Sequence, residues 1–120
     1  MKKIIIFFGL IFFLSVTVSA DTKKVKVIDG DTIHIGTIKY RLFGIDALEI
    51  KQICEKDNIK IQCGVIAKSV LQNKIADKIP ECVVKDKDRY QRLVAECFIG
   101  KESLSRFMVR EGYAVAYSQY

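Results

Sequence analysis

A small β-barrel closed by helices is the fold class this sequence predicts, from five runs of β character, an amphipathic helical stretch after the third, and another after the fifth. No repeat or low-complexity linker interrupts that order. A chain of 120 residues has room for one domain at most.

The elements follow in turn. Val25 and Val27 alternate with Lys24 and Lys26, the period-two pattern of a half-buried strand. Asp29-Gly30 predicts a tight turn, because glycine tolerates positive φ and aspartate can bond its own backbone ahead. Thr32 to Ile35 reads as the returning strand and Ile38 to Phe43 as a third, so the domain opens as an antiparallel meander. Gly44 to Gln62 reads as an irregular, charged excursion. From Gly64 to Lys78, the residues Ile66, Ala67, Val70, Leu71 and Ile75 recur at helical spacing, with lysines elsewhere around the axis. Pro80 is expected to end that helix. Glu81 to Val84 begins a strand that breaks at Lys85-Asp86-Lys87-Asp88, and Leu93 to Phe98 resumes β character. Glu102 to Glu111 is the second helix, with Leu104, Phe107 and Met108 on one face and Gly112 as the C′ residue.

Residues 1–20 read differently from the rest. Lys2 and Lys3 precede an apolar run that gives way to Val18-Ser19-Ala20, which is the charge, core and small-residue cleavage pattern of a signal peptide. The run falls short of the ~20 apolar residues that span a bilayer. The expected organisation is therefore a signal peptide over 1–20 and one domain over 21–120, secreted or periplasmic, with no stable membrane association after the signal is removed. A monomer is expected.

The formal charge of +6 falls to +4 without Lys2 and Lys3, a balance that leans weakly toward anionic partners. Behind a signal peptide, the even set Cys54, Cys63, Cys82 and Cys97 reads as two disulfides. Three pairings are open. Cys54–Cys63 with Cys82–Cys97 is preferred, because the second pair falls on two β-like runs that could lie side by side. A zinc site is disfavoured, since no Cys-x-x-Cys spacing occurs and His34 is the sole histidine.

The residues that carry chemistry stand close together: Asp29-Gly30-Asp31-Thr32, then Tyr40-Arg41-Leu42, then Gly44-Ile45-Asp46-Ala47-Leu48-Glu49. Carboxylates offer the hard oxygen ligands that Ca²⁺ takes, and an arginine fork matches phosphate oxygens two at a time. Taken singly, each has a plainer explanation. Asp29-Gly30-Asp31 alone is most often a hairpin turn, and Arg41 or Arg92 alone is a solvated strand arginine. Glu49 alone is a loop acid, and Tyr90 alone is as readily core as contact. Joint order and spacing are what outweigh those readings.

Val27-Ile28-Asp29-Gly30-Asp31-Thr32, Tyr40-Arg41-Leu42, Gly44-Ile45-Asp46 with Glu49, Asp88-Arg89-Tyr90-Gln91-Arg92, and Met108-Val109-Arg110-Glu111-Gly112 with Ala114 together resemble, in that order, the thermonuclease (staphylococcal nuclease-like) family. The resemblance covers nearly all of residues 25–117. It implies an OB-fold, a five-stranded Greek-key barrel with two covering helices, and Ca²⁺-dependent hydrolysis of phosphodiesters in DNA and RNA with little sequence specificity. By motif position it implies Asp31 and Asp46 as Ca²⁺ ligands with the Ala47 carbonyl as a third. Glu49 takes the place of the acid that positions or deprotonates water, Arg41 and Arg92 those of the arginines that grip the scissile phosphate, and Tyr90 that of an aromatic contacting a neighbouring phosphate.

The chain departs from the family pattern at Leu48, where a proline is usual, and at Gln91, where a glycine is usual. Leu48 lacks the fixed φ that would help aim Glu49, and Gln91 must take a dihedral that glycine adopts freely. His34 lies on a strand facing away from Ile33 and Ile35 and is read as a surface histidine. Tyr113, Tyr117 and Tyr120 are either stacking platforms or a packed cluster. The rival to an enzyme is a non-catalytic nucleic-acid-binding OB-fold module. Against it, such a module has no use for acids beside a polyanion.

Overall fold

Val27, Ile33, Ile35 and Leu42 are buried from one side of three short strands, and their spacing dictates the start of the fold. The computed structural model describes residues 9, 11–17 and 23–117. Strands β1 (Val25–Asp29), β2 (Thr32–Ile35) and β3 (Ile38–Leu42) form the expected antiparallel meander. His34 lies between Lys26 and Lys39 across the sheet, partly exposed while Ile33 and Ile35 are buried. Partial burial and the two lysines hold its imidazole below the usual histidine range.

Gly30 differs from expectation in its reason. It does not have positive φ; a Cβ there would meet the Ala47 Cβ at 2.8 Å and the Ala67 Cβ at 3.2 Å. Glycine is needed at this turn because three elements close on it.

The stretch expected to be irregular instead contains β4 (Ile45–Ala47) and a hairpin of β5 (Cys54–Lys56) and β6 (Ile59–Ile61). Asp57 and Asn58 turn that hairpin with φ of 53° and 63°, the left-handed pair that a type I′ turn requires. The charged text concealed a turn signal. Helix α1 (Cys63–Ile75) then buries Ala67, Leu71 and Ile75, while Ile66 from the expected apolar face is exposed. The helix stops at Ala76, with φ of 51° and its N–H on the Gln72 carbonyl, and not at Pro80.

Strand β7 (Glu81–Lys87) runs through the charged segment at which a break was expected. As an edge strand it is exposed over most of its length, and Lys, Asp and Glu suit such an edge. A register shift between Val84 and Asp86 absorbs the irregularity. Strand β8 (Leu93–Ile99) supplies Val94, Ala95 and Cys97 to the core, and β9 (Glu102–Ser103) pairs with it. Helix α2 (Leu104–Arg110) begins later than expected because Ser103 caps it, its hydroxyl accepting from the Arg106 N–H. Leu104 and Met108 are fully buried and Phe107 partly so. Strand β10 (Ala114–Ala116) closes on β4.

The order β1-β2-β3-β8-β7 makes a mixed sheet in which β3 and β8 run parallel. Among the described residues β1 and β7 do not pair, and β4–β10 is a separate ribbon. Among the described residues the architecture is therefore a mixed sheet with two helices, and the five-stranded closed barrel is not formed by its strand pairing.

Disulfides join Cys54 to Cys63 and Cys82 to Cys97, the preferred pairing. The expected cleavage point at Ser19-Ala20 lies outside the described residues, and among those described no helix is long and apolar enough to cross a membrane.

Candidate active site

Three strand ends meet at one edge of the sheet, and pairing register explains why. Thr32 pairs with Arg41, so Asp31 stands one residue from that arginine. Arg41 in turn lies beside Val94 in the parallel pair, which brings Arg92 alongside from a distant part of the chain. Asp46 comes from β4, immediately after the turn that follows β3.

Arg41 bridges the two acids. Its Nη1 is 3.1 Å from Asp31 Oδ2 and its Nη2 is 3.5 Å from Asp46 Oδ1. Asp31 is buried, and both its oxygens are engaged: Oδ2 accepts from the Ala47 N–H at 2.9 Å and Oδ1 from the Thr32 hydroxyl at 3.1 Å. Burial, reinforced by Asp29, pushes the Asp31 carboxyl up to about 6, and the Ala47 N–H and Arg41 only partly offset it. Asp46 is by contrast largely exposed. The edge thus presents one desolvated acid, one solvated acid and one guanidinium between them.

Arg92 is held from below by Asp88. Its Nε donates to Asp88 Oδ2 at 2.6 Å, while Asp88 Oδ1 accepts from the backbone N–H groups of Tyr90 at 2.8 Å and Arg92 at 3.0 Å. Burial, the largest single influence, pushes the Asp88 carboxyl up, but the hydrogen bonds and charge of Arg92 and the Tyr90 N–H together hold it below the usual range. The Arg92 Nη1 also reaches the Thr32 hydroxyl at 3.4 Å, which links the two halves of the site. Tyr90 is exposed, and its ring lies under the guanidinium groups of Arg89 and Arg92 at 5.0 and 5.4 Å. Gln91 adopts φ of 65°, the left-handed dihedral expected where a glycine would be at ease.

Arg41, Asp46, Tyr90 and Arg92 share a cleft of about 370 Å³, with Arg89, Asp88 and Tyr117 also on its walls. Ala47 is buried behind Asp31 and lines an adjoining cleft of about 290 Å³ with Asp46 and Tyr113. Glu49 is exposed two residues beyond Ala47 and is not among the residues lining the larger cleft. Among the described residues no group of three His, Cys, Asp or Glu side chains converges as a ready-made metal cage. Tyr120 lies outside the described residues.

Asp88 is the residue that sequence reasoning passed over. Within Lys85-Asp86-Lys87-Asp88 it reads as one more loop charge, although an Asp four residues before an Arg that follows a turn is a signal for this brace.

The family model described as staphylococcal nuclease homologue matches residues 39–120, from within β3 to the end of the chain. The chain belongs to the staphylococcal nuclease homologue family. An "Uncharacterized endonuclease" of Haemophilus influenzae is 36% identical, over 82% of this chain and 53% of its own. The "Succinoglycan biosynthesis protein ExoI" of Rhizobium meliloti is 34% identical, over 77% of this chain and 50% of its own. An "Uncharacterized endonuclease" of Escherichia coli is 31% identical, over 82% and 61%. The chain therefore spans between half and three-fifths of the length of these relatives.

Proposed function

We propose that this protein is a secreted or periplasmic Ca²⁺-dependent phosphodiesterase that cleaves DNA and RNA internally with little sequence preference. The observation that carries the proposal is the single cleft in which Arg41, Asp46, Arg92 and Tyr90 meet, with Asp31 held against Arg41. The donors on offer suit a hard cation: the carboxylates of Asp31 and Asp46, one of them buried with its charged form disfavoured, with the carbonyl of Ala47 as the third ligand that the family resemblance implies. Bound there, Ca²⁺ would neutralise charge and polarise a phosphoryl oxygen and a water.

The chain's own residues do the rest. Arg41 and Arg92 offer planar forks to the phosphate and stabilise the charge that grows as the phosphorus centre becomes pentacoordinate, an effect of ~3 to 4 kcal/mol per donor in comparable sites. Asp88 keeps the Arg92 fork aimed into the cleft. Tyr90 contacts the neighbouring phosphate from the cleft wall. Glu49 orients the attacking water or takes its proton. Nothing in the sequence resembles a base-reading helix, which supports loose sequence preference.

Two disulfides support an oxidising compartment, and the charged head, apolar run and small residues of 1–20 support residues 21–120 as the folded unit after their removal. Kinship with the family supports closure of the sheet in the OB manner.

The purified protein should degrade plasmid DNA and RNA when Ca²⁺ is added and stop when it is chelated. Arg92→Ala should slow cleavage by roughly 10²-fold or more, and Glu49→Gln should slow it likewise. Cleavage indifferent to both substitutions would remove the assigned roles, and saturable nucleic-acid binding with no cleavage under any divalent cation would favour a non-catalytic module.

A further inference from the structure

Glu49 lies in a short turn anchored at both ends. Upstream, β4 ends at Ala47, whose N–H is fixed on Asp31. Downstream, the Glu49 carbonyl accepts from the Gln52 N–H at 2.9 Å, and the Glu49 N–H donates to Gln52 Oε1 at 3.1 Å. The Gln52 carbonyl then accepts from the Gly64 N–H at 3.1 Å, in the first turn of α1. Cys63 Sγ lies 3.3 Å from that same carbonyl and is bonded to Cys54, so the disulfide closes the hairpin that leaves this turn and returns to the helix.

Gly64 sets how closely helix and turn approach. A Cβ there would stand 1.6 Å from the Glu49 carbonyl oxygen, 2.6 Å from the Glu49 carbonyl carbon and 2.9 Å from that of Ile50. These are atoms of the main chain, so no side-chain rotation relieves the clash, and the turn would have to retreat by more than an ångström. Gly64 has no positive φ. Close approach alone requires glycine here. At the upstream end Leu48 supplies no fixed φ, so the aim of the following acid has to be imposed from outside the turn.

We propose that Gly64, Gln52 and the Cys54–Cys63 bridge are positioning residues for Glu49, holding its turn against the start of α1 at a fixed distance from Asp46 and Ala47. The proposal rests on the nuclease reading above. It predicts that displacing the turn slows the chemical step and leaves substrate binding intact.

The test is a double-mutant cycle in steady-state cleavage of a defined DNA duplex. Gly64→Ala should lower kcat by roughly 10²-fold, the scale of a 1 Å misplacement, with KM little changed. In a Glu49→Gln background the same substitution should cause no further loss. If Gly64→Ala does not fold by circular dichroism, Gln52→Ala at an exposed position takes its place, with Gln52→Glu restoring the acceptor and part of kcat. A Cys54→Ala/Cys63→Ala protein should show the same dependence on Glu49. Equal losses with and without Glu49, or an unchanged kcat in the folded variants while Glu49→Gln alone is slow, would overturn the positioning role and leave the nuclease reading standing. A Glu49→Gln protein as fast as the parent would instead remove the catalytic role of Glu49, and this proposal with it.

Discussion

Gln91 holds a left-handed φ of 65° at the head of the turn that presents Tyr90 and Arg92. A residue with a Cβ gives up ~1 kcal/mol or more in that region relative to glycine. Gln91→Gly should therefore raise the denaturant midpoint, because the relief of ~1 kcal/mol or more exceeds the cost of the freer unfolded chain; a lower midpoint would show that the strain at Gln91 is smaller than that cost. Asp31 gives the opposite kind of prediction. Its folded pKa of about 6 lies above the ordinary 3.8, so the folded state binds the extra proton between those values. Its contribution to stability is full below 3.8 and is lost as pH rises through about 6, a change on the order of 3 kcal/mol. Asn at 31 can still accept from the Ala47 N–H and donate to the Thr32 hydroxyl. In chelator, Asp31→Asn should become progressively more stable relative to the parent across that window in thermal unfolding; a constant difference would refute the shift. At this scale the meeting of Asp31, Arg41, Asp46 and Arg92 was legible, because each is a chemically distinctive letter in an ordered motif. Asp88 was not, because its role depends on a turn that folds its carboxylate back onto two N–H groups and a guanidinium.

The sheet meander and both helices were legible as elements because their apolar residues recur at a fixed period, as Val27, Ile33, Ile35 and Leu104, Met108 illustrate. Element ends were less so. The end of α1 at Ala76 comes from a local backbone reversal, whereas Pro80 only marks where a helix could no longer continue. The persistence of β7 through Lys85-Asp86-Lys87 comes from its place at a sheet edge, which no local pattern records. The elements are joined by Glu102, which pairs with Lys74 of α1 and Arg110 of α2 around the Phe107 ring. Hydrogen bonds from Lys74 first, then Arg110, hold its carboxyl below the ordinary 4.5. The stabilisation this implies is complete above 4.5 and is lost as pH falls through the lower folded value. Glu102→Gln should therefore flatten part of the acid limb of the stability curve. An unaltered acid limb would mean that the three charges are too exposed to matter.

On the scale of the molecule, one bridge reinforces a sheet that, among the described residues, its own strand pairing leaves open between β1 and β7. Cys82–Cys97 ties edge strand β7 to the buried strand β8 across a sequence separation of 15. A loop of that length adds about 3 kcal/mol in the chain-entropy account. Cys82→Ala/Cys97→Ala should lose about that much in guanidinium unfolding, with little effect on KM; loss of substrate affinity at intact stability would point instead to a role in the cleft. Global topology was only partly legible. The parallel union of β3 with β8 depends on contacts between distant segments, which hydrophobic period cannot register. That union also sets the order in which the cleft is completed during synthesis. A ribosome-tethered fragment ending before Leu93 already carries Asp31, Arg41 and Asp46 but has no β8 to hold Arg92 beside them. The pairing of the two guanidinium groups is thus withheld from a growing polypeptide until Leu93–Ile99 has been added and can dock on β3.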